Sequence, residues 1–291
     1  TIFTDYDGAG QVGRIIDPNG YSVRFSYDGR GRIIEQGGRI YTYGPWGELD
    51  SITDEDGKML SLGYDGTSGR LSRIYNSTGD YIAYSYDGSG NKTEEAIYTQ
   101  AGQKAYWKGY SYQGPTYPGR LYREIKPDGS YTEYQYDDMG NITEIEDPEG
   151  NVTQYEYDLF NRVTKVMEPG EVVTTYSYDR RGNLISVTDP EGHTTTYEYD
   201  DMGRVVKRVS PDTGQTTYAY NSIGKVTSKT DARGTTTIYS YDGLGRLIHI
   251  DTGATAQNIT YMYDEGQNAK TRLTKIEDEA GEVRYRYDLR G

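Results

Sequence analysis

Carboxylates recur in this chain at a spacing that invites a catalytic or metal-binding reading. An Asp follows a Tyr at eleven of fourteen regularly placed marks, among them Asp137, Asp158, Asp179, Asp200 and Asp242. Carboxylates are the equipment of general acid–base work and of hard-cation binding. Eleven copies are too many for one active site, and a plainer chemistry accounts for each: an Asp bonds its own backbone two residues on, and the Gly that follows accepts a positive φ, so together they make a tight reversal. Asp54-Glu-Asp56-Gly57-Lys58 opens like a calcium loop but lacks the further ligands at EF-hand spacing, and it stands where other units carry Asp-Pro-x-Gly. The acidic turns as a set offer at most a weak array for Ca²⁺. His193 and His249, the only histidines, lie in different units with no paired nucleophile and read as incidental. Gly8-x-Gly10-x-x-Gly13 matches a dinucleotide fingerprint in letters only, because no helix follows it. No residue is assigned as catalytic, cofactor-binding or metal-ligating, no cofactor is expected, and the absence of a convergent nucleophile, base and orienting group disfavours an enzyme.

The elements that place these residues follow from the repeat. From Tyr157 the chain reads YDLFNRVTKVMEPGEVVTTYS, YDRRGNLISVTDPEGHTTTYE, YDDMGRVVKRVSPDTGQTTYA and YNSIGKVTSKTDARGTTTIYS, a period of 21 residues. A fixed period of this size marks an array in which no unit buries its apolar face alone. Each unit holds a Tyr-Asp reversal, a short apolar run such as Leu184 with Val187 or Ile142 with Ile145, a second reversal such as Asp189-Pro190-Glu191-Gly192, and a Thr/Tyr run ending in Tyr-x-Tyr. Residues two apart share a face only in an extended chain. The unit is therefore two strands and two turns, and the expectation is an all-β array of about 14 YD-repeat hairpins. Stacked units should bring Tyr176 near Tyr155 and Tyr197, and Tyr178 near Tyr157 and Tyr199, as two aromatic ladders. Apolar residues three apart, like Leu184 and Val187, would face opposite sides of a regular strand, so either both faces are partly covered or a bulge intervenes.

Twenty-eight strands at about 4.8 Å each span roughly 130 Å, and closed in one turn they would leave a bore about 40 Å wide. Side chains cannot fill that, which favours a curled or spiralling antiparallel sheet around a hollow or trough. The expectation is one continuous array over 1–291, most regular over 136–263. Residues 87–135 are irregular, and Gln100–Gly119, with Trp107, reads as a loop insertion with an elaborated surface.

Composition bounds the partners. A net charge of −14 repels phosphate backbones, so no nucleic acid is expected. No apolar stretch approaches the roughly 18 residues of a membrane span, so no membrane insertion is expected. There is no Cys, hence no disulfide or thiolate site. Tyr reaches 33 of 291 residues against 3 Phe and 2 Trp, placing the aromatic content in a side chain with a polar tip. The sequence begins and stops near Tyr-Asp marks and reads as a piece of a longer protein.

The pattern Tyr-Asp-x-x-Gly-[Asn/Arg]-[Leu/Val/Ile], Asp-Pro-x-Gly, Thr-x-Tyr-x-Tyr-Asp resembles the YD repeat of the Rhs family, whose relatives include shell-forming components of Tc toxins, Rhs and Wap polymorphic toxins and teneurins. Tyr178-Asp179, Gly182-Asn183-Leu184, Asp189-Pro190-Glu191-Gly192 and Tyr197-Glu198-Tyr199-Asp200 carry the likeness in register. The resemblance implies a sheet coiled into part of a hollow shell, a structural, non-catalytic wall around a cargo or toxin polypeptide, with cargo or adjoining shell domains as partners and a secreted or cell-surface location for the parent. The alternative is a cell-surface adhesion or carbohydrate-binding module using exposed Tyr and Trp. Unpaired sheet edges also leave room for edge-to-edge self-association.

Overall fold

Thr, Val, Ile and Tyr dominate the runs between reversals, and these are the residues that suit a pleated, half-covered surface. The computed structural model describes residues 3–253 and 258–288. Among them are 27 strands, β1 (Phe3–Tyr6) to β27 (Gly281–Arg284), all antiparallel, in one unclosed sheet with no helix. Within each stretch the described pairings join neighbours in sequence, as β17 (Val172–Tyr178) pairs with β18 (Leu184–Thr188), and β18 with β19 (Thr194–Tyr199). Contacts divide the chain into two compact units, one of Ile2–Ile16 with Ser22–Tyr155, the other of Glu156–Gly291 with the turn Asp17–Tyr21.

A bulge reconciles the apolar spacing with a strand. Tyr176 pairs with Val187 and Ser177 with Ser186, but Tyr178 pairs with Leu184, so Ile185 is the extra residue. Tyr176 and Tyr178 lie on one face, and the extra residue returns Leu184 and Val187 to that face together. The same shift sets Ile142 with Ile145, Leu247 with Ile250 and Leu273 with Ile276 opposite their Tyr pairs. Bulges of this kind bend the strand and increase its twist.

The sheet has little interior. Among the described residues only Ala96 and Ala269 are buried apolar side chains, and no large side chain is fully buried. In β19 the alternation is plain: Thr195, Tyr197 and Tyr199 are half-covered while Thr194, Thr196 and Glu198 are exposed. The exposed face carries cross-strand ion pairs such as Lys207–Glu198 at 2.8 Å, each worth about 0–1 kcal/mol.

Among the described residues the ring pairs lie outside the regular region, so the expected ladders are not seen there. The described ring pairs are Tyr75–Tyr81, with centroids 5.1 Å apart, and Tyr81–Tyr98, stacked at 4.8 Å. These sit on directly paired strands, β8 (Leu71–Tyr75), β9 (Tyr81–Tyr86) and β10 (Lys92–Tyr98). Elsewhere a strand of aliphatic residues separates two Tyr-x-Tyr strands, putting them about 9.6 Å apart, beyond the usual 4.5–7 Å between ring centroids.

The segment expected as a protruding loop is partly sheet. Lys104–Ser111 forms β11, paired with β10, and the irregular residues are 112–122.

Candidate functional site

Where Asp opens both reversals of a unit, the two are the same device. At the Tyr-Asp turn, the Asp200 carboxylate Oδ1 accepts the Met202 and Arg204 amides, each at 2.9 Å, while Asp200 N donates to Arg204 O and Gly203 N to Asp200 O. At the Asp-Pro turn, Asp189 Oδ1 accepts Glu191 N at 3.0 Å and His193 N at 2.8 Å, with the matching backbone pair. Gly203 and Gly192 take φ of 75° and 84°, and Asn161 fills the same place at 60°. Asp54 accepts Asp56 N and Lys58 N in the same way, and Asp7 caps the turn containing Gly8 and Gly10. The candidate calcium loop and the Gly8–Gly13 run are thus hairpin turns.

The second carboxylate oxygen explains why Asn or Arg follows the Gly. Asn183 Nδ2 donates to Asp179 Oδ2 at 2.8 Å, and Arg204 Nε to Asp200 Oδ2 at 2.7 Å. These bonds hold the Asp179 and Asp200 carboxyls below their ordinary pKa, the Asn183 amide and Arg204 guanidinium being the leading causes. His193 has a place in this scheme: its Nδ1 lies 3.2 Å from Asp189 Oδ2, where Asn151 Nδ2 sits 2.8 Å from Asp147 Oδ2. Asp189, Glu191 and His193 do bring three ligand-type atoms within 4.8 Å of one another, yet Asp189 Oδ1 already accepts two backbone amides within the turn. His249 lies across the ladder from Thr260, its Nδ1 3.2 Å from Thr260 Oγ1.

The marker phenols do what sequence reasoning missed. Tyr199 Oη donates to Leu184 O at 2.7 Å, and Leu184 is the residue paired with the preceding marker, Tyr178. The same bond joins Tyr178 to Val163 O, Tyr220 to Val205 O and Tyr241 to Val226 O, and in the other unit Tyr64 to Leu49 O and Tyr86 to Leu71 O. The bulge sits beside the carbonyl that each phenol reaches. Burial raises the Tyr199 phenol above its ordinary pKa, so it remains a donor. A signal for this lay in the sequence: all fourteen markers are Tyr and none is Phe, whereas the position two before them admits Phe25 and Leu62.

Arginine at the Tyr-Asp turn adds a second tie. Arg162 bonds its own Asp158, donates from Nη1 to Asp179 O of the next turn at 3.1 Å, and lies over the Tyr178 ring at 4.6 Å. Arg204 repeats this with Asn221 O at 3.3 Å and the Tyr220 ring at 4.7 Å. A cation over an aromatic face contributes about 0.5–1 kcal/mol at such exposed places.

Two surfaces stand apart from this scaffold. The tips of the Tyr-Asp turns carry exposed apolar side chains, including Leu159, Phe160, Met202, Ile223 and Leu244 in one unit and Trp46 and Met139 in the other. The loop 112–122 borders a cavity of about 180 Å³ lined by Tyr117, Arg120, Tyr122, Glu133, Tyr134 and Tyr136 among others. Trp107 does not line it. Its ring packs on Gly109 and lies under Lys104 Nζ, 5.6 Å away.

Comparison with known proteins agrees with the repeat. A model described as RHS Repeat matches residues 6–39, 157–186, 178–216 and 220–257, and one described as Teneurin YD-shell matches 35–167. No curated protein matches. Among solved structures, the crystal structure of TcdB2-TccC3 matches with a TM-score of 0.61 at 16% identity, over 98% of this chain and 20% of that one. A Photorhabdus luminescens Tc holotoxin pore matches with a TM-score of 0.60 at 16% identity, over 98% of this chain and 19% of that one. The likeness is one of fold, and this chain spans about a fifth of those structures.

Proposed function

This chain belongs to the Rhs/YD-repeat family, and from that premise we propose that it is a non-catalytic wall segment that shields a cargo polypeptide within a longer, secreted or surface-exposed parent. The observation that carries the reading is a sheet one strand-layer deep, with almost nothing buried and with neighbouring units tied by phenol-to-carbonyl bonds. Such a construction suits a partition: it encloses space without filling it, and each unit braces the one before. The single continuous array, the cargo and the adjoining shell domains are parts of the same proposal. The strand β27, exposed along its length and paired only with Leu273–Asp278 among the described residues, offers an edge to which an adjoining strand or a second copy would add.

The adhesion reading rests on exposed Tyr and on Trp107: Lys104 and Gly109 partly cover Trp107, and marker phenols such as Tyr178, Tyr199 and Tyr220 are engaged by backbone carbonyls, so the wall reading is preferred. Limited proteolysis of the longer parent tests the wall. The downstream polypeptide should resist protease in the intact protein and become cleavable once Tyr199→Ala and Tyr220→Ala together loosen the sheet. Equal digestion with and without the two substitutions would overturn the reading.

A further inference from the structure

Within the unit that joins Glu156–Gly291 to the turn Asp17–Tyr21, the tip of an Asp-Pro turn is seated on a Tyr-Asp turn. Asn19 Nδ2 donates to Lys270 O at 3.0 Å, Lys270 N donates to Asn19 Oδ1 at 2.5 Å, and Arg272 Nη2 lies 3.6 Å from Asp17 Oδ2. Ala269, beside Lys270, is one of the two buried apolar side chains among the described residues. Further back along the same rim the turn tips are bare: Leu159, Phe160, Met202, Ile223 and Leu244 are 65–98% exposed. At about 9.6 Å per unit they make a row roughly 38 Å long, which is more than the scattered apolar residues of an ordinary surface. Each unit also contributes one turn to the opposite rim, so both rims repeat at the same distance. There Pro169, Pro190 and Pro211 stand exposed on successive turns, beside the exposed Glu168, Glu171, Glu191 and Asp212. Between the apolar tips stand the exposed cations Arg180 and Arg181, the second already near Asp201 at 3.3 Å. Proline rings thus match apolar tips at one pitch, and carboxylates match arginines as Asp17 matches Arg272.

We propose that the apolar tips of the Tyr-Asp rim are a docking surface for a second copy of this chain, which seats its Asp-Pro rim there as Asn19 is seated on Lys270. The contact is heterologous: one copy supplies a Tyr-Asp rim and the other an Asp-Pro rim. Each pair therefore keeps one free rim of either kind, and further copies add in a single direction. Turns meet turns and no backbone ladder is extended, which separates this contact from strand addition at β27. It is also independent of the wall role, since the phenol bonds that tie unit to unit lie behind the turn tips.

Sedimentation velocity of the whole chain from about 5 μM to about 500 μM tests the assignment, a range that brackets a contact with Kd of about 50 μM. The mean mass should rise with concentration and pass beyond a dimer. Met202→Lys, Ile223→Lys and Leu244→Lys together should weaken association by at least about tenfold. Arg181 already holds the equivalent place in its own turn, so a long cation suits the turn and the melting temperature should match the parent's. Glu191→Lys with Asp212→Lys should weaken association equally from the other rim. Mixed in equal amounts, the two variants should form a one-to-one dimer and stop there, because each keeps one working rim. Should the triple variant melt early, Ile223→Lys alone should still lower association several-fold. A parent that stays monomeric at about 500 μM would overturn the proposal. So would folded lysine variants that associate as the parent does, or a mixture of folded variants that stays monomeric.

Discussion

The two rims of the sheet use one turn and put it to different ends. On the Tyr-Asp rim the capped turn is followed by a bulge, a phenol bond to the preceding unit and, at Arg162 and Arg204, a bond to the next turn. On the Asp-Pro rim the same capped turn at Asp189 leads straight into a regular ladder, Ser186 with Thr196, Val187 with Thr195 and Thr188 with Thr194. The apolar tips Phe160, Met202, Ile223 and Leu244 also belong to the first rim alone. The first rim joins unit to unit along the array, whereas the second mainly reverses the chain, with a tie such as Gln100 N to Asp80 Oδ1 at 2.8 Å between two of its turns. Identical local chemistry therefore does not imply identical structural weight.

Acid should act on both rims together and give the largest effect. Asp158, Asp179 and Asp200 on one rim and Asp147 and Asp189 on the other are all held below the ordinary 3.8. A carboxyl with a lowered folded pKa contributes stability above its unfolded pKa and loses it as pH falls through the folded value. Melting temperature should be level above pH ~5 and fall steeply below pH ~4. A flat profile to pH ~2 would mean the caps contribute little.

Tyr199→Ala should separate the rims next. It removes a half-covered ring and the bond to Leu184 O, at about 2 kcal/mol or more in chemical denaturation, whereas Tyr199→Phe should cost about 1 kcal/mol. An unchanged midpoint for Tyr199→Phe would remove the distinction between the rims.

Gly203→Ala and Gly192→Ala should cost about the same, roughly 1–2 kcal/mol each. Both have positive φ, and an added Cβ meets nothing closer than Asn183 Oδ1 at 3.4 Å for Gly203 and nothing within 4 Å for Gly192. Unequal midpoints would show that the turns differ after all. The smallest effect belongs to His193→Asn, expected within about 0.5 kcal/mol of the parent, with neither zinc nor a chelator moving the melting temperature. A metal-dependent shift lost in the variant would instead assign Asp189, Glu191 and His193 to an ion.

Much of this was legible in the residues. Tyr-x-Tyr gave strands, and Asp with Gly gave turns, because period and turn chemistry are local. Counting by repeats predicts aromatic ladders, but contact is decided by strands, and the strand bearing Leu184 and Val187 lies between those bearing Tyr176 and Tyr197. The bulge was open as one of two choices until pairing fixed Ile185 as the extra residue. The cavity at Arg120 needed the folded loop, although Gln113 in place of Asp is visible as a broken rule in the sequence. The stretched spacing around Tyr112, with Pro115 and Pro118 in the same segment, points to a loop over Gln100–Gly119, and for Lys104–Ser111 pairing with β10 overrides that signal.

The backward reach of each phenol gives the array a polarity. Cut between any two units, the sheet presents two unlike faces: one displays a backbone acceptor stripped of its donor, the other a donor with nothing to grip. Those faces fit each other and not themselves, so pieces of such a sheet can be rejoined, lengthened or exchanged in a single head-to-tail sense.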